Sequence, residues 1–258
     1  MNHLLSRRRL LRGGSALGAS LMLSGCDQVF DSPSLRGVLD FGQWISLHMQ
    51  RLLLARQPLA REFAPGDISQ DFPVNGTTMP GGFDYFRMMT SGFSSWRLAV
   101  DGLVSRPLSL SLDEIKALPS RTQVTLHCCD EGWSAIGQWT GVALSHILDA
   151  AALKPNARYI VFHCLDELER TLDRSGLYYE SLDLFDAFHP QTILAYGMNG
   201  GALPVAHGAP LRLRVERQIG YKNAKYLTRI EAVERLDAIG RGRGGFWEDR
   251  GYQWYAGL

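Results

Sequence analysis

Cysteine is scarce in this sequence, which contains four: Cys26, Cys128, Cys129 and Cys164. No C-x-x-C pair and no His/Cys array has the spacing of a structural zinc site. If Cys26 is processed with the N-terminus, three thiols remain, and three cannot all pair. Adjacent cysteines rarely bridge, because a disulfide requires specific geometry. The sequence therefore predicts no disulfide framework and leaves one working thiol, one or two buried thiols, or three inert ones.

Charge bias and long apolar runs are also lacking. The formal net charge is +1, and no long basic or acidic block is present, which argues against a nucleic-acid partner. The one long apolar stretch without charge, residues 13–26, is too short for a membrane-spanning helix of about 20 residues. With 258 residues, 45% of them hydrophobic, the chain can bury a sizeable core in one large domain or two small ones.

The N-terminus has the parts of an export signal. Arg7 and Arg8 precede an apolar segment that ends in small residues, as in a twin-arginine signal. The letters LSGC resemble a bacterial lipobox ending at Cys26, and Asp27 resembles an inner-membrane retention signal. We expect residues 1–26 to be a twin-arginine signal with a lipobox, and the protein to be periplasmic and tethered to the inner membrane by a lipid on Cys26. A plain twin-arginine signal with a chance cysteine is the alternative. That route carries folded proteins, which favours a cofactor inserted before export.

The rest of the chain divides into a linker with an amphipathic helix, residues 27–66, and a domain over residues 67–258. The domain alternates strand-like and helix-like segments without a regular βαβ repeat, which predicts an α+β fold with a mixed β-sheet core and helices. The predicted strands include WRLAVDGLV, TQVTLHCC, ARYIVFHC, QTILAYGMNG, APLRLRVE and KYLTRIEAVER. The predicted helices are SLSLDEIKALP, with a capping box between Ser111 and Glu114, TGVALSHILDAAAL, and YYESLDLFDAF as helix or turn.

The strand TQVTLHCC separates the two adjacent cysteines. Side chains alternate between the faces of a strand, so Val124, Leu126 and Cys128 share one face. We expect that apolar face to pack on the core and Cys128 to be a buried, inert thiol. Cys129 points the other way at the strand end, where functional loops begin. The competing hypothesis is that both thiols are buried small hydrophobic groups.

A thiolate at Cys129 is either a nucleophile or a soft metal ligand. A nucleophile needs a base, and His127, His163 and His207 are available, so a cysteine-dependent hydrolase or transferase is one hypothesis. A metal held by a single protein thiolate takes its other ligands from a cofactor, which agrees with the export of a folded protein. A third hypothesis is a non-catalytic lipoprotein that keeps the fold as a binding module.

A family resemblance is carried by FPVNG, HCCDEGWSAIGQWTGVALSHIL and HPQTILAYGMNGGALPVAHGAPLRLRVERQIGYKNAKYL. In order and spacing these segments resemble the molybdopterin-binding domain of the sulfite oxidase superfamily, and most of all its exported bacterial branch, which includes the periplasmic methionine-sulfoxide reductase catalytic subunit. The resemblance implies a sulfite-oxidase-type fold and a molybdenum-molybdopterin (Mo-MPT) cofactor. It also implies an oxidoreductase that transfers an oxygen atom or two electrons on a small molecule or an oxidised side chain.

The resemblance also assigns roles to residues. The metal ligand of the family lies four residues before the tryptophan of C-x-E-x-W-S, which here is Cys129. Glu131 is then a candidate for proton relay, with a capping or surface carboxylate as the competing explanation, and Tyr178 matches a tyrosine near the metal. The implied cofactor-binding residues are Asn75, Thr78, Met79, Cys164, His207, Arg212, Lys222, Asn223, Ala224 and Lys225.

Some of these assignments have competing explanations. Cys164 stands where the exported branch has a threonine, which is a departure from the family. Arg212 suits a pterin phosphate, because a guanidinium binds phosphate through two hydrogen bonds. Taken singly, the basic residues of RLRVERQIGYKNAK would form a solvated strand face and His207 would be an ordinary loop histidine. The ordered set favours cofactor binding.

The sequence contains no C-x-x-C-H, the attachment motif of c-type haem. Nothing beyond the molybdenum is therefore expected to accept electrons in this chain. The resemblance thus implies a separate electron-transfer protein, such as a membrane cytochrome, as the partner.

Overall fold

The computed structural model describes residues 33–53, 58–172 and 175–258. The predicted export signal and Cys26 lie outside these residues. The chain divides into two compact units, Met1–Ala55 and Arg56–Leu258. In the first unit, the amphipathic pattern forms helix α1 (Pro33–Leu53). Across the described residues, no helix is long and apolar enough to cross a membrane.

The second unit contains two five-stranded sheets. The first is formed by β1 (Leu98–Gly102), β2 (Leu108–Leu110), β5 (Tyr159–Glu167), β6 (Leu177–Asp183) and β10 (Leu227–Val233). Its strand order is β2-β1-β10-β5-β6. The β1–β10 pair is parallel and the other pairs are antiparallel, so chain-distant segments meet at its centre.

The second sheet is antiparallel throughout. It is formed by β3 (Ser120–Cys128), β4 (Ser134–Ala143), β7 (Ile193–Met198), β8 (Gly201–Ala202) and β9 (Arg212–Arg214). Its order is β3-β4-β7-β8, with β9 also paired to β7. The turn between β3 and β4 carries Cys129, so the cysteine lies at one end of this sheet.

Four short helices connect the strands: α2 (Phe83–Thr90), α3 (Leu112–Lys116), α4 (Leu144–Ala151) and α5 (Leu184–Ala187). The capping box of α3 is confirmed, since Glu114 N donates to Ser111 Oγ (3.2 Å) and Ser111 N donates to Glu114 Oε2 (2.7 Å). Apolar residues of both sheets and of α4 share one buried core, among them Leu98, Val142, Ile147, Phe162, Leu194, Leu213 and Ile230. The predicted α+β fold is confirmed.

Three element predictions are corrected. Residues 140–143 of TGVALSHILDAAAL continue β4, and only Leu144–Ala151 is helical. The segment YYESLD belongs to β6, followed by the single turn of α5. The predicted strand APLRLRVE is reduced to Arg212–Arg214. Short apolar runs do not distinguish strand from helix by periodicity alone, and here pairing to neighbouring strands decides the outcome.

The predicted faces of β3 are wrong. Leu126 is 38% exposed and Cys128 is half-buried, whereas Thr125 and His127 are buried. The inward face is polar, and its groups find partners inside the protein: Arg214 Nη1 lies 2.8 Å from His127 Nδ1. Buried polar groups are tolerated when hydrogen bonds satisfy them. The side chains of β3 alternate as predicted, but the assumption that its apolar face would pack on the core was wrong.

Candidate active site

A pocket opens in the second unit where several chain segments meet. Its empty volume, which includes open solvent at its mouth, is about 530 Å³. Residues 75–77, 130–131, 220–221 and 223–225 line it, together with Asp166, Leu168, Tyr178 and Trp247. The predicted site residues that line the pocket are Asn75, Glu131, Tyr178, Asn223, Ala224 and Lys225.

Phe72 anchors the first of these segments to the second sheet. Its ring lies edge-on to Trp139 of β4, with centroids 5.4 Å apart. Gly137 makes room for it, because a Cβ there would lie 2.9 Å from Phe72 Cε2. The predicted cofactor residue His207 also packs edge-on against Phe72 at 5.6 Å. Burial lowers the pKa of His207 to about 4, so this ring is neutral at physiological pH.

Lys225 ties the loop that follows Phe72 to the segment 220–225. Its Nζ donates to the carbonyl oxygens of Asn75 (2.7 Å), Thr77 (2.5 Å) and Ala206 (3.1 Å). An ammonium group has three donors, and each has an acceptor here. Lys225 therefore holds two walls of the pocket together as well as lining it.

Six predicted cofactor residues do not line the pocket: Thr78, Met79, Cys164, His207, Arg212 and Lys222. Thr78 and Met79 are exposed, and Cys164 is buried in the apolar core. Burial raises the pKa of the Cys164 thiol well above its usual value. Neighbours that the sequence interpretation missed, Thr77 and Asp166, line the pocket instead. Strand alternation could have found Asp166, because it lies two residues after Cys164 on the same face of β5.

Cys129 begins the tight turn between β3 and β4. Its N–H donates to Trp133 O (2.9 Å) and its carbonyl accepts from Gly132 N (3.2 Å), with Gly132 at a positive φ of 91°. Glu131 Oε2 accepts from Trp133 Nε1 (3.0 Å), which orients the carboxylate within the turn. The turn places Asp130 and Glu131 in the pocket wall, and Cys129 Sγ lies 3.6 Å from Asp130 Oδ1.

The chemistry around Cys129 differs from that of an activated nucleophile. Burial raises the pKa of its thiol to about 11, and the charges of Asp130 and Glu131 add to the increase. Burial, together with the charges of Arg214 and Arg212, lowers the pKa of His127 to about 2, so this imidazole is a poor base. Nucleophilic thiols have a lowered pKa and a nearby base, whereas a metal ligand loses its proton to the metal.

Gly220 brings the segment 220–225 against the cysteine. A Cβ on Gly220 would lie 3.1 Å from Cys129 Cα and 3.2 Å from His127 Nε2. Gly220 also lines the pocket. The glycine thus allows the pocket wall to pack directly on the backbone of Cys129, although Cys129 itself does not line the pocket.

Arg212 and Asn223 shape the loops behind the pocket. Arg212 is buried, and it donates from Nη1 to His207 O (2.9 Å) and from Nη2 to Asn223 O (3.1 Å). Asn223 Oδ1 accepts from Val215 N (2.8 Å). In the described part of the chain, Arg212 Nε is buried without a hydrogen-bond partner. Both terminal nitrogens of the guanidinium therefore join two loops, and its Nε–H makes no hydrogen bond within the described residues.

Lys222 does not face the pocket. Its Nζ donates to Glu180 Oε1 (2.5 Å) and Glu248 Oε1 (2.8 Å), and all three side chains are buried. Burial raises the pKa of Glu180 well above its usual value. The predicted role of Lys222 as a cofactor contact is thus not supported by its side chain, which joins β6 to the C-terminal segment.

Tyr178 lines the pocket from β6, and its hydroxyl donates to Tyr221 O (2.5 Å). Burial raises the pKa of this phenol well above its usual value, so it stays protonated. The hydroxyl oxygen retains acceptor capacity toward the pocket. The structure thus brings Tyr178 and Glu131 to one pocket, with Cys129 beside it.

Cys129 lies next to Asp130 of the pocket wall, and the wall also holds Asp166, whose buried Oδ1 has no hydrogen-bond partner among the described residues. A pocket with such an unpaired buried polar group is typical of a cofactor-binding domain. The chain matches the family described as the oxidoreductase molybdopterin binding domain over residues 87–238, more than half of its length. The chain belongs to this family, and the predicted membership of the sulfite oxidase superfamily is confirmed. It is a molybdopterin-binding oxidoreductase, and its cofactor is Mo-MPT.

Relatives with similar sequences agree with this assignment. The chain is 36% identical over 252 residues to a putative protein-methionine-sulfoxide reductase subunit YedZ1 from Azospira oryzae, covering 98% of this chain and 88% of the relative. It is 37% identical over 153 residues to the protein-methionine-sulfoxide reductase catalytic subunit MsrP of Xanthomonas axonopodis pv. citri, covering 57% of this chain and 48% of that one. The chain thus spans about half the length of this MsrP relative.

One solved structure is also similar. The sulfane dehydrogenase SoxCD from Paracoccus pantotrophus superposes with a TM-score of 0.49 and 22% identity, covering 55% of this chain and 39% of the other.

The residues around the pocket fit Mo-MPT. Cys129 offers the soft sulfur that suits molybdenum. Lys225 in the pocket wall supplies positive charge for a phosphate group, and Arg212, in the loops behind the pocket, adds to it. Among the described residues, Oδ1 of Asp166 has no hydrogen-bond partner, so it is an available acceptor.

Proposed function

We propose that this oxidoreductase transfers an oxygen atom or two electrons at the pocket beside Cys129, on a small molecule or an oxidised side chain. The sulfoxide of a methionine side chain is the substrate we favour, because both relatives above carry that activity in their names. The observation that carries the proposal is the packing of Gly220, a residue of the pocket wall, against the backbone of Cys129.

In this proposal Cys129 holds the molybdenum, while Asn75, Ala224 and Lys225 hold the pterin. When bound, the cofactor supplies the two-electron and oxygen-atom chemistry. Reduction of a sulfoxide to a thioether consumes two electrons and two protons and releases water. Glu131 is exposed at the pocket wall, so it can exchange protons with solvent and pass them inward. Tyr178 offers its phenol oxygen to the substrate from β6.

The electrons come from a separate protein, for which we propose a membrane electron-transfer partner such as a cytochrome. The absence of a C-x-x-C-H motif in the sequence and the word "subunit" in the relatives' names support this. We also propose that the protein works in the periplasm, exported by the twin-arginine signal and held at the inner membrane by a lipid on Cys26. The paired arginines and the LSGC sequence support that location.

The test is the molybdenum and pterin content of protein purified after export, with Cys129→Ser compared with Cys128→Ser. Cys128 is the matched control, because it is the adjacent thiol and lies half-buried on β3. We expect Cys129→Ser to lose more than ten-fold of the molybdenum and the activity, and Cys128→Ser to keep both. Equal losses, or metal lost only from Cys128→Ser, would contradict the assignment.

A substrate screen with an artificial electron donor then tests the reaction. Turnover of methionine sulfoxide in protein and peptide supports the favoured substrate; turnover of other oxidised small molecules alone would replace it. Covalent labelling of Cys129 in metal-free protein that still turns over would indicate a cysteine hydrolase or transferase. Full function of Cys129→Ala in cells would indicate a non-catalytic binding module.

A further inference from the structure

Helix α1 exposes its apolar face and covers its polar one. Side chains three, four or seven residues apart lie on the same side of a helix. On one side of α1 the large apolar side chains are exposed: Val38, Phe41, Trp44, Ile45, Met49, Leu52 and Leu53. On the other side the half-buried side chains are Gln43, Leu47, Gln50 and Arg51. This is the reverse of a helix on the surface of a globular domain, whose apolar face packs on the core.

Aromatic side chains form the centre of the exposed face. The ring of Trp44 is stacked with that of Phe41, with centroids 6.1 Å apart, and it packs against His48 at 4.0 Å. Trp44 is nevertheless 55% exposed and Phe41 61% exposed. A contiguous apolar patch in water marks a site of contact with a protein or a membrane. Tryptophan, with an apolar ring and a polar N–H, is typical of the boundary between water and lipid.

The charges of this segment match an anionic lipid surface. Residues 33–61 contain four arginines and one aspartate, whereas the whole chain has a net charge of only +1. Arg51 lies in the last turn of α1, and Arg56 and Arg61 follow the helix. Helices that lie on membranes combine an apolar face with basic residues, which bind anionic head groups. An apolar groove on a protein would match the exposed face alone, whereas an anionic bilayer matches both the face and the arginines.

The place of α1 in the chain also favours a bilayer. Residues 27–32 separate Cys26 from the helix, and an extended chain of that length reaches at most about 25 Å. If Cys26 carries the proposed lipid, α1 therefore begins within that distance of the membrane. The helix has 21 residues, but it is not apolar enough to cross the membrane. Its apolar face can instead lie along the membrane surface.

We propose that α1 is a membrane-surface helix, whose apolar face inserts between the head groups of an anionic bilayer. The second unit begins at Arg56, directly after this segment, so the helix keeps the catalytic unit at the membrane where the proposed electron-transfer partner lies. The inference deepens the proposed location of the protein. It does not depend on the lipid, because the helix binds through its own side chains.

The test measures contact between Trp44 and lipid in vesicles that contain no other protein. Exported, cofactor-loaded protein is bound to vesicles of phosphatidylglycerol and phosphatidylethanolamine, with or without bromine on the acyl chains, because bromine quenches tryptophan fluorescence on contact. The chain contains six tryptophans, so Trp44→Phe gives the emission of Trp44 by difference. The other five belong to the second unit and serve as the internal control. We expect brominated lipid to quench roughly half or more of the Trp44 emission and little of the rest.

Variants of α1 separate insertion of the helix from mere tethering by the lipid. The double variant Ile45→Gln, Leu52→Gln makes the exposed face polar, whereas Ser46→Gln alters an exposed polar position of the same helix. We expect quenching of Trp44 to fall about five-fold in the double variant and to stay at the wild-type level in Ser46→Gln. If mass spectrometry finds no lipid on Cys26, wild-type protein should still sediment with these vesicles, about ten-fold more weakly at high salt.

The outcomes are distinguishable. Trp44 emission that brominated lipid leaves unchanged overturns the inference, and so does equal quenching in wild type and in the double variant. Burial of Trp44 only after a membrane electron-transfer protein is added, or only in a dimer of this chain, also overturns it and assigns the face to that protein or to a second copy. Molybdenum content, measured on the same samples, tests the proposed function separately: protein without molybdenum whose Trp44 is quenched keeps this inference while the proposed function fails.

Discussion

Gly220 lies against the peptide that joins Cys128 to Cys129. A Cβ at residue 220 would lie 3.1 Å from Cys129 Cα and 3.3 Å from Cys128 O. Both are backbone atoms of a turn closed by hydrogen bonds, so they cannot swing aside as a flexible side chain would. The distance between the cysteine and the pocket wall is therefore set by the missing side chain of Gly220.

Gly220→Ala is expected to push the segment 220–225 away from the turn that carries Cys129. The backbone of Gly220 lies outside the left-handed region, so the cost of alanine is steric. Overpacking of this kind costs about 1–3 kcal/mol, and we expect that loss in urea unfolding of the cofactor-free protein, with reduced molybdenum content in the holoenzyme. Gly66→Ala is the control, because a Cβ at Gly66 meets no described atom within 4 Å. Equal stability and molybdenum content in both variants would show that the turn yields freely.

Lys222→Met is expected to destabilise the fold strongly. The lysine separates the buried carboxylates of Glu180 and Glu248, and its removal leaves two uncompensated acids inside the protein. Breaking a buried ion pair on one side costs about 3–5 kcal/mol. Urea unfolding of the cofactor-free protein measures it, and Lys154→Met, an exposed lysine, is the control.

The loss caused by Lys222→Met should depend on pH. Burial and the charge of Glu248 raise the pKa of Glu180 above its unfolded value, so its favourable contribution is present at low pH and disappears as pH rises through the folded value. Without Lys222, the charged form of Glu180 loses its counter-charge, so ionisation of this buried carboxyl group at high pH costs more stability. The variant should therefore lie closer to wild type at pH 5 than at pH 8, and a difference that is constant across this range would contradict the ion-pair explanation.

Lys225→Met is expected to release the loop that Phe72 anchors. Its ammonium group bonds to the carbonyls of Asn75 and Thr77, so its loss frees one wall of the pocket. Hydrogen-exchange mass spectrometry of the cofactor-free protein should show faster exchange in residues 75–79, with little change in β3. Lys154→Met again serves as the control. Unchanged exchange in the loop would show that the packing of Phe72 suffices to hold it.

Much of the fold was predictable because local patterns and final structure agree. The capping box at Ser111 is a local interaction, and the strand around Phe162 is an apolar run that pairs on both sides. The failures involve competition from distant segments. Residues 140–143 look like the start of a helix, and they are drawn into β4 by pairing with β7, some fifty residues further along the chain.

The site was predictable where a residue acts through its place on the backbone, and unpredictable where its partners are remote. The position of Asn75 in the pocket wall follows from the order of the family segments. The burial of the polar face of β3 could not be predicted from the sequence, because Arg214, the hydrogen-bond partner of His127, lies 87 residues away. Lys222 was misassigned for the same reason, since its partners come from β6 and from the C-terminal segment.

Tyr178→Phe is expected to lower turnover without loss of cofactor. The phenol lines the pocket, and its hydroxyl donates to Tyr221 O, so its removal takes a polar group from the substrate space and a hydrogen bond from the pocket wall. Because the pKa of this phenol is raised well above its usual value, the wild-type group stays protonated and adds no step to the pH profile of activity. We expect kcat/KM to fall about ten-fold or more, at unchanged molybdenum content.

Tyr179→Phe is the matched control for that variant. Its hydroxyl donates to Asp249, so the change removes one hydrogen bond of a tyrosine on the same strand, yet Tyr179 does not line this pocket. Each substitution should cost about 1 kcal/mol of stability, measured by urea unfolding of the cofactor-free proteins. A structural role for Tyr178 predicts equal activity in the two variants. A role in the site predicts that only Tyr178→Phe loses turnover, because only that phenol reaches the substrate.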